Sequence, residues 1–190
     1  MHMSKAICNA VLVCSLACLV SARSSAQVVH VAGLKPKPQM AVSSLSLSAI
    51  PASVTFHLVP NGVATGSSAV QVTTTWDGSI CFFICTVNVY AYFANGNAAL
   101  SGGSPIVNIP SSAVLGQVPT GIPTGFTPFT QSSPFGGAGA SLQLFQQSVF
   151  LLTFGTTRTD ALNLEINLSN QPAMPAGTYT GTLYIQAQSL

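Results

Sequence analysis

Apolar and polar residues alternate along the last sixteen residues of the chain, PAGTYTGTLYIQAQSL. One set consists of Tyr179, Gly181, Leu183, Ile185 and Ala187. The intervening positions are threonine, tyrosine or glutamine. A period of two is typical of a β-strand with one buried and one solvent-facing side. We therefore predict that Leu183 and Ile185 point into a core, whereas Thr180, Thr182 and Tyr184 face outward.

The same alternation recurs at residues 70–76, 87–93 and 162–168. It also appears at residues 45–58, where Pro51 interrupts the strand and the apolar positions change parity. Clusters of turn residues separate these segments, and no segment shows a helical period. About seven short strands predict an all-β fold, an antiparallel immunoglobulin-like β-sandwich.

Residues 101–141 break this rhythm because they are rich in glycine and proline. We interpret them as a long insertion in which only residues 106–109 and 114–118 resemble strands. The insertion carries Phe126, Phe129 and Phe135. Aromatic residues in so long a connection indicate either a loop pinned onto the sandwich or a surface that contacts a partner.

The N-terminus has the pattern of a secretory signal peptide: one lysine, an apolar run, and then small residues at Ser24 and Ala26. We predict removal of residues 1–26, with cleavage before Arg23 as the alternative site. A lipoprotein with Cys18 as its first residue is a further alternative. Residues 27–42, which contain LKPKP, form a linker or N-terminal extension, and residues 43–190 form the β-sandwich domain. The protein is then exported, to the extracellular space, the cell surface or the periplasm.

The mature chain carries very few charges. Its lysines and arginine are Lys35, Lys37 and Arg158, and its carboxylates are Asp77, Asp160 and Glu165, so its formal net charge is zero. Nucleic-acid binding depends on basic residues that neutralise phosphates. We therefore predict no nucleic-acid partner, and no later apolar run is long enough to predict a membrane span.

Chemically reactive residues are also scarce. Cys81 and Cys85 are the cysteines outside the signal peptide, and export favours a local disulfide between them over two buried thiols. A serine–histidine–aspartate site using His57 with Asp77 or Asp160 has no accompanying motif such as G-x-S-x-G. Metal-ligand spacings are absent as well. We predict no catalytic residues, no cofactor and no metal.

The C-terminal stretch resembles the end of chaperone–usher pilus subunits and of the related spore-coat-U-like secreted proteins. The resemblance rests on PAGTY, on Gly177 as the fourteenth residue from the end, and on the alternating Leu183, Ile185 and Ala187. Such subunits are incomplete sandwiches that pair with a periplasmic chaperone and then assemble by donating an N-terminal strand to a neighbour. The resemblance implies a structural or adhesive subunit, with like subunits and a chaperone as partners.

The strand-assembly residues that it implies are Gly177, Tyr179, Leu183, Ile185 and Ala187. Val29 and Val31 supply the donor pattern near the mature N-terminus. The alternative is a complete sandwich whose last strand pairs internally. Such a protein would be a self-contained secreted binding module for a protein or glycan ligand.

Overall fold

The structure is a computed structural model that describes residues 45–77, 80, 83–150 and 154–190, together with the backbone of residues 13–17. Its regular structure is almost entirely antiparallel β, which confirms the predicted all-β sandwich. The strands are β1 Val13–Ala17, β2 Leu45–Ile50, β3 Ser53–His57, β4 Val63–Thr65, β5 Val70–Trp76, β6 Ile84–Tyr92, β7 Leu100–Gly102, β8 Val107–Ile109, β9 Val114–Gln117, β10 Thr127–Pro128, β11 Ser141–Phe150, β12 Thr156–Asn167, β13 Tyr179–Thr180 and β14 Tyr184–Ser189. A 3₁₀ turn, Ser111–Ala113, precedes β9.

The larger sheet is built around β12. Its strand order is β10-β9-β12-β5-β2, and β4 also pairs with β12. β12 is long enough to pair with β5 through residues 156–162 and with β9 through residues 163–166. Its inward positions include Leu162, Leu164 and Ile166, each no more than 1% exposed. This alternation fixes which face of the sheet is buried.

The opposite layer contains two three-stranded ladders, β11-β6-β14 and β13-β7-β8. β6 pairs with β14 from Tyr92↔Tyr184 to Val87↔Ser189. The two layers enclose the core. Its largest fully buried side chains are Tyr179, Phe56, Phe93, Phe129, Leu100, Ile109, Leu142, Leu144, Leu162, Leu164 and Ile166. Burying each such side chain contributes about 1.5–3 kcal/mol, so this apolar interior is the main stabilising feature of the fold.

Residues 101–141 are integrated into the sandwich more closely than the predicted insertion implies. The strand-like positions become β8 and β9, and β9 pairs with both β12 and β10. Phe129 follows β10, its N–H donates to the carbonyl of Val114, and its ring meets that of Phe93 at 5.2 Å. Phe129 is 0% exposed, so its assignment to a partner surface is wrong. β9 and β10 carry it into the core, where it pins the segment down.

The other two phenylalanines of this segment lie elsewhere. Phe135 is half-buried and packs against Tyr90 and Tyr92, with ring centroids 6.0 and 5.9 Å apart. Phe126 is 38% exposed. The three rings therefore do not form one surface.

An ion pair fastens the loop after β9. The Arg158 guanidinium donates to both carboxylate oxygens of Asp160, at 2.6 and 2.8 Å, and also to the carbonyl of Thr120. The hydroxyl of Thr120 donates to the same carboxylate at 2.8 Å. The guanidinium also lies 4.2 Å from the centre of the Phe145 ring. Asp160 is only 7% exposed, so these contacts compensate its burial.

We expect Arg158→Lys to lower the free energy of unfolding by about 1–2 kcal/mol, because an ammonium group cannot reproduce the two parallel hydrogen bonds to Asp160. Amide hydrogen exchange should accelerate at Gly121 and Ile122, whose N–H groups donate to the carbonyls of Val118 and of Leu144 on β11. Glu165→Gln on the same strand is the control and should change stability by less than about 0.5 kcal/mol. Unchanged exchange in Arg158→Lys would show that the ion pair does not fasten the loop.

Candidate functional site

β3 lies beside the larger sheet in a separate two-stranded ladder, and its side chains alternate cleanly. Val54 and Phe56 are fully buried, whereas Ser53, Thr55 and His57 are exposed. Pro51 separates β3 from β2, so that the apolar positions of both strands point inward despite the change of parity. On one side β3 is joined to the chain after β4: the N–H of Ser67 donates to the carbonyl of Thr55 at 2.9 Å, and Phe56 bridges to Gly66.

The other side of β3 is paired with β1. The two strands run antiparallel from Val13↔His57 to Ala17↔Ser53. Cα atoms of β1 also come within 8 Å of those of β13. β1 therefore lies between β3 of one layer and β13 of the other. We call the space that it fills, bounded by β3 and β13, the edge cleft.

Glycines allow the chain to pack closely behind β13. β13 pairs with β7 through Tyr179↔Gly102 and Thr180↔Ser101. A Cβ atom at Gly102 would collide with the carbonyl oxygen of Thr178, and one at Gly181 would collide with that of Ala99. Gly177 has φ of +152°, and a Cβ there would lie 2.7 Å from the Cα of Gly103. Gly177 is thus a close-approach position beside the edge cleft.

The predicted strand-assembly residues line the core rather than an open surface. Tyr179, Leu183 and Ile185 are at most 4% exposed, and Ala187 is half-buried against the same core. The hydroxyl of Tyr179 donates to the carbonyl of Pro175 at 2.9 Å. Thr180 is exposed, and Thr182 and Tyr184 are half-exposed. The inward direction predicted for Leu183 and Ile185 is confirmed.

The last strand pairs internally along β6. The ladder continues past β14, since Leu190 and Thr86 exchange two backbone hydrogen bonds of 2.8 and 3.0 Å. Sequence reasoning placed the candidate open edge at this strand. The edge that depends on a strand from the predicted signal peptide is instead that of β3. In the sequence, the change of parity at Pro51 was the feature that could have indicated that β3 separates from β2 and pairs elsewhere.

Among the described residues, His57 and Asp160, two of the groups considered for a catalytic site, lie on different strands. His57 is exposed on β3, and Asp160 is engaged by Arg158 and Thr120. Within the part of the chain that the structure describes, no three histidine, cysteine or acidic side chains are grouped to hold a metal ion. A shallow pocket of about 370 Å³ is lined by Trp76, Phe150 and Arg158, among others. The Arg158 guanidinium is already bonded to Asp160, so it is not a free reactive group in this pocket.

Several sequence predictions fall outside the described residues. Cys85 is buried, but Cys81 is not described, so the disulfide stays a prediction. The linker at residues 27–42 and most of the signal peptide are also undescribed. Among the described segments, no helix is long and apolar enough to cross a membrane.

No family model matches the chain. Neither a curated protein nor a solved structure matches it significantly. The likeness to pilus and coat subunits therefore rests on the C-terminal residues quoted above.

Proposed function

We propose that this protein is an exported, non-enzymatic structural or adhesive subunit that assembles by strand addition in the edge cleft. The observation that carries the proposal is the pairing of β3 with residues 13–17. Those residues belong to the predicted signal peptide. Once it is removed, the mature chain has an unpaired β3 edge and must recruit another strand or leave the edge exposed.

The cleft defines the side chains that a donor strand needs. Positions opposite Val54 and Phe56 continue the buried face of β3 and call for apolar residues, whereas positions opposite Ser53, Thr55 and His57 face outward. β1 has Leu16 and Cys14 at the two apolar register positions. In the predicted mature chain, Val29 and Val31 have the same spacing of two.

Backbone pairing with alternate apolar side chains is the usual chemistry of β-augmentation. The main chain supplies affinity, and the two apolar positions supply register and specificity. The implied partners are like subunits, which each carry an N-terminal donor segment, and a periplasmic chaperone that covers the edge before assembly. A mature chain of zero formal net charge suits close packing of repeated subunits, because no net repulsion opposes it.

The proposal is tested with the mature protein, residues 27–190, by light scattering after size exclusion and by thermal unfolding. We expect oligomers linked through the N-terminal segment. Deleting residues 27–33 should yield monomers of lower melting temperature, because the cleft is then empty. A peptide of residues 27–33 should restore that temperature.

Two control peptides separate the contribution of the apolar side chains from that of the backbone hydrogen bonds. Replacing Val29 and Val31 by serine removes the apolar positions, and N-methylation of alternate residues removes the backbone donors. Neither should stabilise the deleted protein. If the mature protein is monomeric, equally stable without residues 27–33, and indifferent to every peptide, strand addition is rejected.

The second candidate is a self-contained secreted binding module. The internal pairing of β14 with β6, continued to Leu190, favours it because the C-terminal strand needs no external partner along that edge. The rejection outcome above would leave this candidate standing.

A further inference from the structure

The outer face of the β11-β6-β14 ladder combines aromatic rings with side-chain amides. Its inward positions, such as Val87, Val89 and Ile185, belong to the core, so the alternate positions face away from it. We define the aromatic–amide face by these outward residues: Asn88, Tyr90, Tyr92, Phe135, Gln143, Gln146, Tyr184, Gln186 and Gln188. Gln146 is exposed and most of the others are half-buried, with Asn88 the most enclosed.

Three rings cross this face as a row with Tyr92 at its centre. Tyr184 stacks on one side, with centroids 5.3 Å apart and planes 16° apart. Phe135 stacks on the other, at 5.9 Å and 24°. The phenol hydroxyl of Tyr92 donates to the side-chain oxygen of Gln186 at 3.2 Å. Burial and the neighbouring Tyr184 raise the pKa of Tyr92, so this hydroxyl keeps its proton and remains a donor.

The amides occupy the neighbouring rows. Gln186, Tyr90 and Gln143 are register partners across the three strands, and the next row contains Gln188, Asn88 and Gln146. The amide nitrogen of Gln143 donates to Asn88 at 3.0 Å. The amide nitrogen of Gln188 is buried without a hydrogen-bond partner. Binding is therefore stabilised if the Gln188 side chain turns so that this unsatisfied amide donates to an acceptor on a bound molecule.

The face also lacks charge. Among the described residues, the acidic and basic side chains are Asp77, Arg158, Asp160 and Glu165, and they lie after β5 or on β12. An anionic ligand would find no cation among the described residues of this face. An apolar partner would leave several amides without hydrogen bonds, which is costly.

We propose that the aromatic–amide face binds a neutral polysaccharide. Sugar rings present both apolar C–H groups, which pack against aromatic surfaces, and hydroxyl groups, which exchange hydrogen bonds with planar amides acting as donor and acceptor. A few polar groups placed beside aromatic surface are the usual composition of small-molecule sites. The face lies on other strands than β3 and β13, so the proposal does not depend on strand addition.

Affinity electrophoresis of the exported protein at alkaline pH, where its amino terminus is deprotonated and its net charge becomes negative, tests this proposal. Native gels contain a soluble mixed-linkage β-glucan, a galactomannan, dextran or, as the anionic comparison, alginate. We expect at least one neutral polymer to retard the protein, and alginate to have a smaller effect. The amide-face variant combines Gln143→Leu and Gln186→Leu, and its affinity should fall by about tenfold or more because each lost polar contact weakens binding severalfold.

The control variant is Thr159→Val, which alters the outer face of the other sheet. The hydroxyl of Thr159 contacts that of Thr73 at 2.9 Å, so the control also loses a surface hydrogen bond. It should migrate like the parent protein, and circular dichroism confirms that both variants are folded. Absence of retardation by all three neutral polymers overturns the proposal. So does stronger retardation by alginate, or equal retardation of the parent protein and the amide-face variant.

Discussion

Replacing Leu183 with alanine is expected to lower the free energy of unfolding by about 2–5 kcal/mol. Leu183 is 0% exposed and lies between β13 and β14, where the last strand passes over the core. Truncation removes apolar contacts and leaves a cavity that its neighbours fill only partly. For a chain of this size, each kcal/mol corresponds to about 2–4 °C, so the melting temperature should fall by roughly 4–20 °C. Calorimetry and urea denaturation measure both quantities.

Thr182→Ala is the matched control because it changes the adjacent residue, which is half-exposed on the opposite side of the strand. Its effect should stay within about 0.5 kcal/mol. Equal tolerance at positions 182 and 183 would contradict the alternation that places Leu183 inside. The comparison also separates the fold from its function, because internal burial of Leu183 is expected whether or not another chain occupies the edge cleft.

Local alternation was sufficient to predict the fold class and the direction of many side chains. The apolar set at Leu162, Leu164 and Ile166 is visible without any knowledge of neighbouring strands, because the period of a strand depends only on its own backbone. The same holds for Leu183 and Ile185. Sequence alone therefore indicated a sandwich and its last core strand.

Contacts between distant segments could not be predicted in this way. Phe129 is in the core because β9 pairs with β12, whose partner residues lie about fifty positions further along the chain. The bond from Arg158 to Thr120 likewise spans 38 positions. A segment rich in glycine and proline gives little local periodicity, so its residues looked like an insertion.

The aromatic–amide face could be predicted in part from local alternation, whereas the edge cleft could not. Asn88, Tyr90 and Tyr92 were readable as an outward set from the alternation at residues 87–93. Their combination with Tyr184 and Gln143 required the registers of three strands. The edge cleft depended on which strand lies at a margin, which is a property of topology and not of any one segment.

Gly177 was selected by its resemblance to a glycine of pilus subunits, and the structure supplies a physical reason for a glycine there. The sequence singled it out because pilus-like subunits carry a glycine at the start of the last strand. In the structure its positive φ and its approach to Gly103 explain why a side chain is disfavoured there. The neighbouring Gly102 was not singled out, although the contact between β7 and β13 constrains it more tightly.

Gly102→Ala is accordingly expected to destabilise the protein by about 3 kcal/mol or more, the upper range for inserting a methyl group into a packed region. The new Cβ would collide with the carbonyl oxygen of Thr178, a backbone atom that cannot rotate away. Relief requires β7 and β13 to separate, which would break the pairing of Gly102 with Tyr179 and displace that buried ring. Urea denaturation should give a lower midpoint, and the wall of the edge cleft should exchange amide hydrogens faster at Tyr179 and Thr180.

Gly125→Ala is the control, because no atom lies within 4 Å of a Cβ at that position. Alanine there reduces the freedom of the unfolded chain without a clash, so stability should rise slightly, by about 0.4–1 kcal/mol. The same substitution of glycine by alanine is thus expected to lower the free energy of unfolding at position 102 and to raise it at position 125. If Gly102→Ala is as stable as Gly125→Ala, β7 and β13 do not approach as closely as described, and the glycines beside the edge cleft have no packing role.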